Sequence, residues 1–163
     1  MILQYFKKKE NNYKDFTGKI YISILEKSKI LINKKYFRDK NFDSSFEIVT
    51  IILIFYLSSF KKKNDLNCKK INEQLMNHFV NDLDITLRNE GIGDMSIGKY
   101  VKKYVKKFYY RVKKIDFILN NFNKKDFLNY LYLIKNIDKK KIDNLVIDLM
   151  EIYGDIKKNN VFL

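Results

Sequence analysis

The stretch LMNHFVNDLDITLRNEGIGDMSIGKYVKKYVKKFYYR, residues 75–111, decides the fold. In its first half Leu75, Phe79, Leu83 and Leu87 recur every four residues, and Met76 and Val80 widen the stripe. Apolar residues at that spacing share one face of an α-helix, so the pattern predicts a helix over 67–90. Gly91 and Gly93 then interrupt it, as a glycine in the left-handed region does at a helix C-terminus. A second helix starts at Asp94 or Ser96, either of which has a side-chain oxygen able to cap the first turn. Its stripe is Ile97, Val101, Tyr104, Val105, Phe108, Val112, Ile115 and Leu119, spaced by three or four throughout. Two long amphipathic helices joined by a glycine turn form the frame of an all-α protein.

Upstream lies the most apolar run, residues 48–57, bracketed by Ser44 and Ser45 on one side and Ser58 and Ser59 on the other. A membrane span needs about 20 apolar residues, roughly twice this run. Glu47 and the lysines at 61–63 limit any extension. A helix apolar on all sides is usually the buried centre of a helical domain, and that is the expectation here. Insertion at a membrane surface is the alternative; a strand built from the Ile, Val and Thr content fits the helical neighbourhood poorly. Thr17 precedes Ile20, Ile24, Leu25, Leu31 and Ile32, which reads as a first helix capped by Thr17. Residues 36–45 read as a loop. Downstream, helices are expected over 126–134 and over 142–153, the latter with Leu145, Leu149 and Ile152 inward and Gly154 as its stop. No Gly/Ser linker, composition break or repeat divides residues 1–163. The expectation is a single-domain, all-α bundle of about six helices.

Composition narrows the function classes. Proline, tryptophan and alanine are absent, so nothing kinks the long helices, and packing rather than alanine propensity must hold them. The formal net charge is +14, which points to an anionic partner such as RNA, a ribosome or acidic lipid. Lysine, asparagine and isoleucine are also what an AT-rich genome imposes, so charge alone identifies no partner. Arginine is informative by its rarity: only Arg38, Arg88 and Arg111 occur, and their planar forks do what lysine cannot. The single Cys68 and single His78 exclude an internal disulfide and a CxxC metal site, and no metal or cofactor is expected. Residues 1–12 lack the apolar core of a secretory signal and the Arg/Ser pattern of a transit peptide. The resulting expectation is a bacterial cytoplasmic location, or a peripheral one at the inner membrane.

The polar residues of 75–111 border the apolar stripes. His78–Asp82 and Asp84–Arg88 are i,i+4 pairs on opposite edges of the first stripe. They serve either as ion pairs orienting two helices, with Arg111 within reach across the gap, or as a polar groove for a client segment. The Gly91-Ile92-Gly93-Asp94 turn lacks the strand and spacing of a phosphate loop, so its glycines are read as structural. Lys99, Lys102, Lys103, Lys106, Lys113 and Lys114 share one side of the second helix, either as a solvated face or as a footprint for an anionic surface. No nucleophile, base and acid stand at catalytic spacing, and no catalytic residue is expected.

The same stretch resembles the core motif of the ubiquinol–cytochrome c chaperone family. The resemblance rests on Leu75, His78, Phe79, Asp82, Asp84, Leu87, Arg88, Gly91, Gly93, Asp94, Ser96, Lys99, Val101, Lys102, Phe108, Tyr109 and Arg111. Upstream, Phe46 and Glu47 sit where that family enters its second conserved helix. Three departures stand out: Tyr110 replaces a glycine of the family pattern, an upstream arginine near Ser45 is missing, and Asn89 separates Arg88 from Glu90. The resemblance implies a non-enzymatic assembly chaperone for respiratory complex III, with cytochrome b or another apolar subunit as client and no DNA partner. It implies partner contacts through Asp82, Asp84, Arg88, Asp94, Phe108, Tyr109 and Arg111. The rival reading is a basic helical module that binds RNA or the ribosome.

Overall fold

The computed structural model describes residues 2–61, 66–121 and 124–159, with side chains for 13–61, 66–120 and 124–159. Six helices follow one another: α1 Ile2–Asn33, α2 Phe42–Lys61, α3 Leu66–Asn89, α4 Asp94–Asn121, α5 Lys124–Tyr132 and α6 Ile142–Asn159. A 3-10 turn, Lys139–Lys141, precedes α6. Among the described residues there is no strand, only an isolated antiparallel bridge between Phe37 and Ile137. The expectation of one all-α domain with about six helices is borne out. Its residues gather in two compact units, Met1–Ser23 with Phe60–Tyr110 and Ile24–Ser59 with Arg111–Leu163.

In the first unit α3 buries Ile71, Leu75, Phe79, Leu83 and Leu87, the stripe the sequence predicts. On α4 Ile97 and Phe108 are buried, while Val101, Tyr104 and Val105 are half-buried. Phe79 meets Phe108 with ring centroids 5.1 Å apart. The turn between the two helices closes by two backbone bonds: Ile92 N donates to Leu87 O at 3.1 Å, and Gly91 N to Arg88 O at 2.9 Å. That paired pattern needs a left-handed residue after the helix, and Gly91 supplies it at φ +90°. Gly93, not Asp94 or Ser96, takes the N-cap position of α4, because its carbonyl accepts from Ile97 N at 3.0 Å.

The second unit is built around α2, whose Ile48 and residues 51–56 are all buried. By length and composition α2 could cross a membrane. Its apolar side chains are instead packed inside protein, which removes the reading in which this run lies on lipid. At about 1.5–3 kcal/mol for each large side chain removed from water, this helix is a principal source of folding free energy. Asn41 caps it, its Oδ1 accepting from Ser44 N at 3.0 Å. The segment read as a loop over 36–45 therefore ends at Asn41, four residues early. Within it Tyr36 and Phe37 are buried, tied to the segment before α6 by Arg38 N to Asn136 O and Asp138 N to Tyr36 O, each 2.9 Å.

Two helix ends differ from the sequence expectation. Thr17 does not begin α1; it lies mid-helix, fully buried, its hydroxyl donating to Tyr13 O at 2.7 Å. Bonding back one turn satisfies the hydroxyl without a helix end. Gly154 does not stop α6, which runs on to Asn159. Leu145, Leu149, Tyr153 and Ile156 form a buried stripe across it, and that burial exceeds the ~1 kcal/mol a mid-helix glycine costs. Ile152, expected inward, is half-exposed while Tyr153 takes the core position. Residues 62–63 of the lysine run, and the side chains of residues 1–12, lie outside the described residues.

Candidate functional site

In the first unit α1 crosses α3 at Gly18, where a Cβ would meet the His78 ring at 3.8 Å. Beside that crossing the imidazole stacks on Tyr21, ring centroids 5.9 Å apart, with Nε2 3.2 Å from Thr17 Oγ1. One turn further along α3, Asp82 accepts from the Tyr21 hydroxyl at 2.8 Å. Burial first, and Asp82 second, push the Tyr21 phenol far above its ordinary range, so it stays a neutral donor. The i,i+4 pairing expected for His78 and Asp82 is thus replaced by two contacts to α1. They are helix–helix fasteners.

The opposite edge of α3 is open. Arg88 Nε donates to Asp84 Oδ2 at 2.6 Å, and Arg88 Nη1 binds Asp94 Oδ1 across the glycine turn. The bond to Asp84, then that to Asp94, raises the guanidinium pKa further above its already high value. Both pairs are largely solvated, with Arg88 41% and Asp94 87% exposed, so water screens them and they add little to the stability of the fold. This ion cluster stands in solvent at the mouth of the helical hairpin. Beside it runs a groove floored by Val80, Ile85, Val101 and Val105 and edged by Asp84 and Lys102. Gly98 lines this groove with nothing within 4 Å of where its Cβ would lie, so its lack of a side chain leaves that part of the groove open.

Phe108 and Arg111 do not reach a surface. Phe108 is wholly buried and Arg111 is 5% exposed. In the second unit Arg111 forms an ion pair with Glu47, donates to Thr50 Oγ1 at 2.7 Å, and lays its guanidinium 4.8 Å from the Phe46 ring centroid. The sequence expectation that Arg111 joins the Asp84–Arg88 edge is therefore corrected: its fork is spent on α2. Phe46 and Glu47 are the other half of that contact. Tyr109, by contrast, is 54% exposed.

The six lysines all face water. In the first unit Lys103 Nζ lies 5.9 Å from the Tyr100 ring centroid and 5.8 Å from that of Tyr104. Lys99, Lys102 and Lys106 accompany it, and Lys113 and Lys114 are exposed on the part of α4 that belongs to the second unit. Of the expected partner residues, the structure brings Asp84, Arg88 and Asp94 together, turns Asp82 to α1, and buries Phe108 and Arg111. The apolar floor of the groove and the contacts of Tyr21 with His78 and Asp82 are not legible in the sequence. Gly98, a helix-breaking residue inside an unbroken stripe, was the available signal for the groove.

Among curated proteins no sequence matches the chain at a comparable level of significance. Among solved structures, that described as the crystal structure of the Cbp3 homolog from Brucella abortus superposes with a TM-score of 0.80, at 20% identity. The superposition covers 96% of this chain and 88% of that one, so the two share a fold. The sequence pattern of the Ubiquinol-cytochrome C chaperone family matches residues 38–130, more than half of the chain and all of the signature stretch. With the Glu47–Arg111 contact and the Arg88-bridged turn both inside the matched region, the chain belongs to the ubiquinol–cytochrome c chaperone family.

Proposed function

We propose that this chain binds newly made cytochrome b and holds it for assembly into ubiquinol–cytochrome c reductase, complex III, by stoichiometric binding rather than catalysis. The observation that carries the reading is the family match over residues 38–130, which contains the α3–α4 hairpin and its groove. A chaperone for an apolar client needs a solvent-facing apolar surface and charges that keep the complex soluble. The Val80–Ile85–Val101–Val105 floor and the Arg88 cluster meet both needs. The client side of the proposal is a helical segment laid along that floor, and the setting is the cytoplasm beside the inner membrane. The test is affinity purification of the tagged chain from its own cells. Cytochrome b is expected in the eluate, and Val101→Asp, on the floor, is expected to deplete it. Normal cytochrome b accumulation and complex III content in a deletion strain would refute the proposal.

A further inference from the structure

The outer face of α4 has a second property that client binding does not use. At 100° per residue Met95, Lys99, Lys103, Lys106 and Tyr110 fall within an arc of about 80°. They form a strip about 22 Å long at 1.5 Å per residue, all within the first unit. Met95 is fully exposed and Tyr110 is 64% exposed, so a large, partly apolar side chain stands at each end of the lysine row. From residue 95 to residue 115 the helix carries seven lysines and no acid. Codon bias explains lysine in place of arginine. It does not explain missing acids, because Asp and Glu codons are A/T-rich as well.

We propose that this face docks on a bilayer surface rich in anionic lipid headgroups. Exposed apolar residues on a lysine-rich helix face match the interfacial pattern, with the apolar groups entering the acyl boundary and the lysines reaching headgroup phosphates. Tyrosine suits that boundary because its ring is apolar and its hydroxyl wet. RNA fits less well. Its readers use arginine forks and successive stacking rings, whereas here Arg88 is taken by two acids, Arg111 is buried, and the strip carries one ring, Tyr110, at its far end from Met95. The docking does not depend on the identity of the client.

Flotation of the whole chain with vesicles tests it, comparing neutral phosphatidylcholine with phosphatidylcholine containing phosphatidylglycerol. Binding is expected only to the anionic vesicles, and it falls steeply with salt. Each lysine near such a surface strengthens binding about fivefold, so Lys99→Gln, Lys103→Gln and Lys106→Gln together weaken it about a hundredfold. Removing the same charge elsewhere, by Lys29→Gln, Lys70→Gln and Lys158→Gln, leaves most of the binding. Met95→Ser with Tyr110→Ser lowers vesicle binding several-fold and leaves any binding to polyuridylate unchanged. Unaltered thermal melts certify that the variants fold. An equal loss in the control triple variant, equal binding to neutral vesicles, or binding to polyuridylate without binding to vesicles overturns the proposal.

Discussion

Arg111→Ala is the substitution whose outcome separates a structural residue from a client contact. The side chains of Arg111 and Glu47 are 6% and 8% exposed, so solvent screens the pair little. Removing the guanidinium leaves a buried carboxylate without its cation and takes the stacked group from the Phe46 ring. Thr50 loses a donor but keeps its own bond to Phe46 O at 2.7 Å. Breaking a buried ion pair from one side costs about 3–5 kcal/mol. At about 2–4 °C per kcal/mol for a chain of this size, Tm falls by roughly 6–20 °C. Replacing both partners by apolar residues, Glu47→Leu with Arg111→Met, removes the orphaned charge and returns stability to near the starting value. Thermal and urea unfolding followed by circular dichroism read both variants. A melt for Arg111→Ala within 2 °C of the parent, combined with loss of cytochrome b from the purified complex, would refute the structural assignment and make Arg111 a contact residue.

The Arg88 cluster predicts the reverse. Arg88→Ala and Asp94→Ala leave the thermal melt essentially unchanged, because both pairs are solvated, while cytochrome b recovered by affinity purification falls. Lys35 sits in the left-handed region at φ 57°, so Lys35→Gly relieves strain and raises stability by about 0.5–1 kcal/mol in denaturant unfolding. Burial, then the hydrogen bond to Asp148, pushes Tyr36 up to about 12. Its stabilising contribution is whole below the ordinary tyrosine value near 10 and is lost as pH rises from there to about 12. Tyr36→Phe therefore flattens the alkaline limb of a stability–pH curve. On the acid side, burial works to raise the pKa of Asp148, but hydrogen bonds from Lys34 and Tyr36 hold it below the usual carboxylate range. The contribution of Asp148 is present above about pH 4 and lost as pH falls through the folded value, and Asp148→Asn abolishes that loss.

Much of this molecule is legible in one dimension because its periodicities are local. The four-residue recurrence of Leu75, Phe79, Leu83 and Leu87 can be satisfied only on a helix face, and it needs no knowledge of the partner helix to be read. The break at Gly91 is equally local, since only the backbone of that residue decides whether φ +90° is accessible. The apolar run over 48–57 announced burial for the same reason: a helix with no polar face has nowhere to put water.

What the tertiary structure alone decided is the choice among equivalent partners. Asp82, Asp84, Arg88 and Arg111 all border apolar stripes, and the sequence offers several pairings of similar local merit. Arg111 goes to Glu47, more than sixty residues away, because α2 delivers a buried carboxylate and a ring to its fork. Asp82 goes to Tyr21 because α1 packs beside α3 and brings that hydroxyl to its carboxylate. Arg88 alone keeps the arrangement its spacing suggested, and it adds Asp94 because the glycine turn folds α4 back beside α3. The helices run through Thr17 and Gly154 for a related reason: capping and breaking preferences are worth about 1 kcal/mol, and burial of a continuing stripe outweighs them. Spacing along a chain determines which faces exist; only packing decides which face meets which.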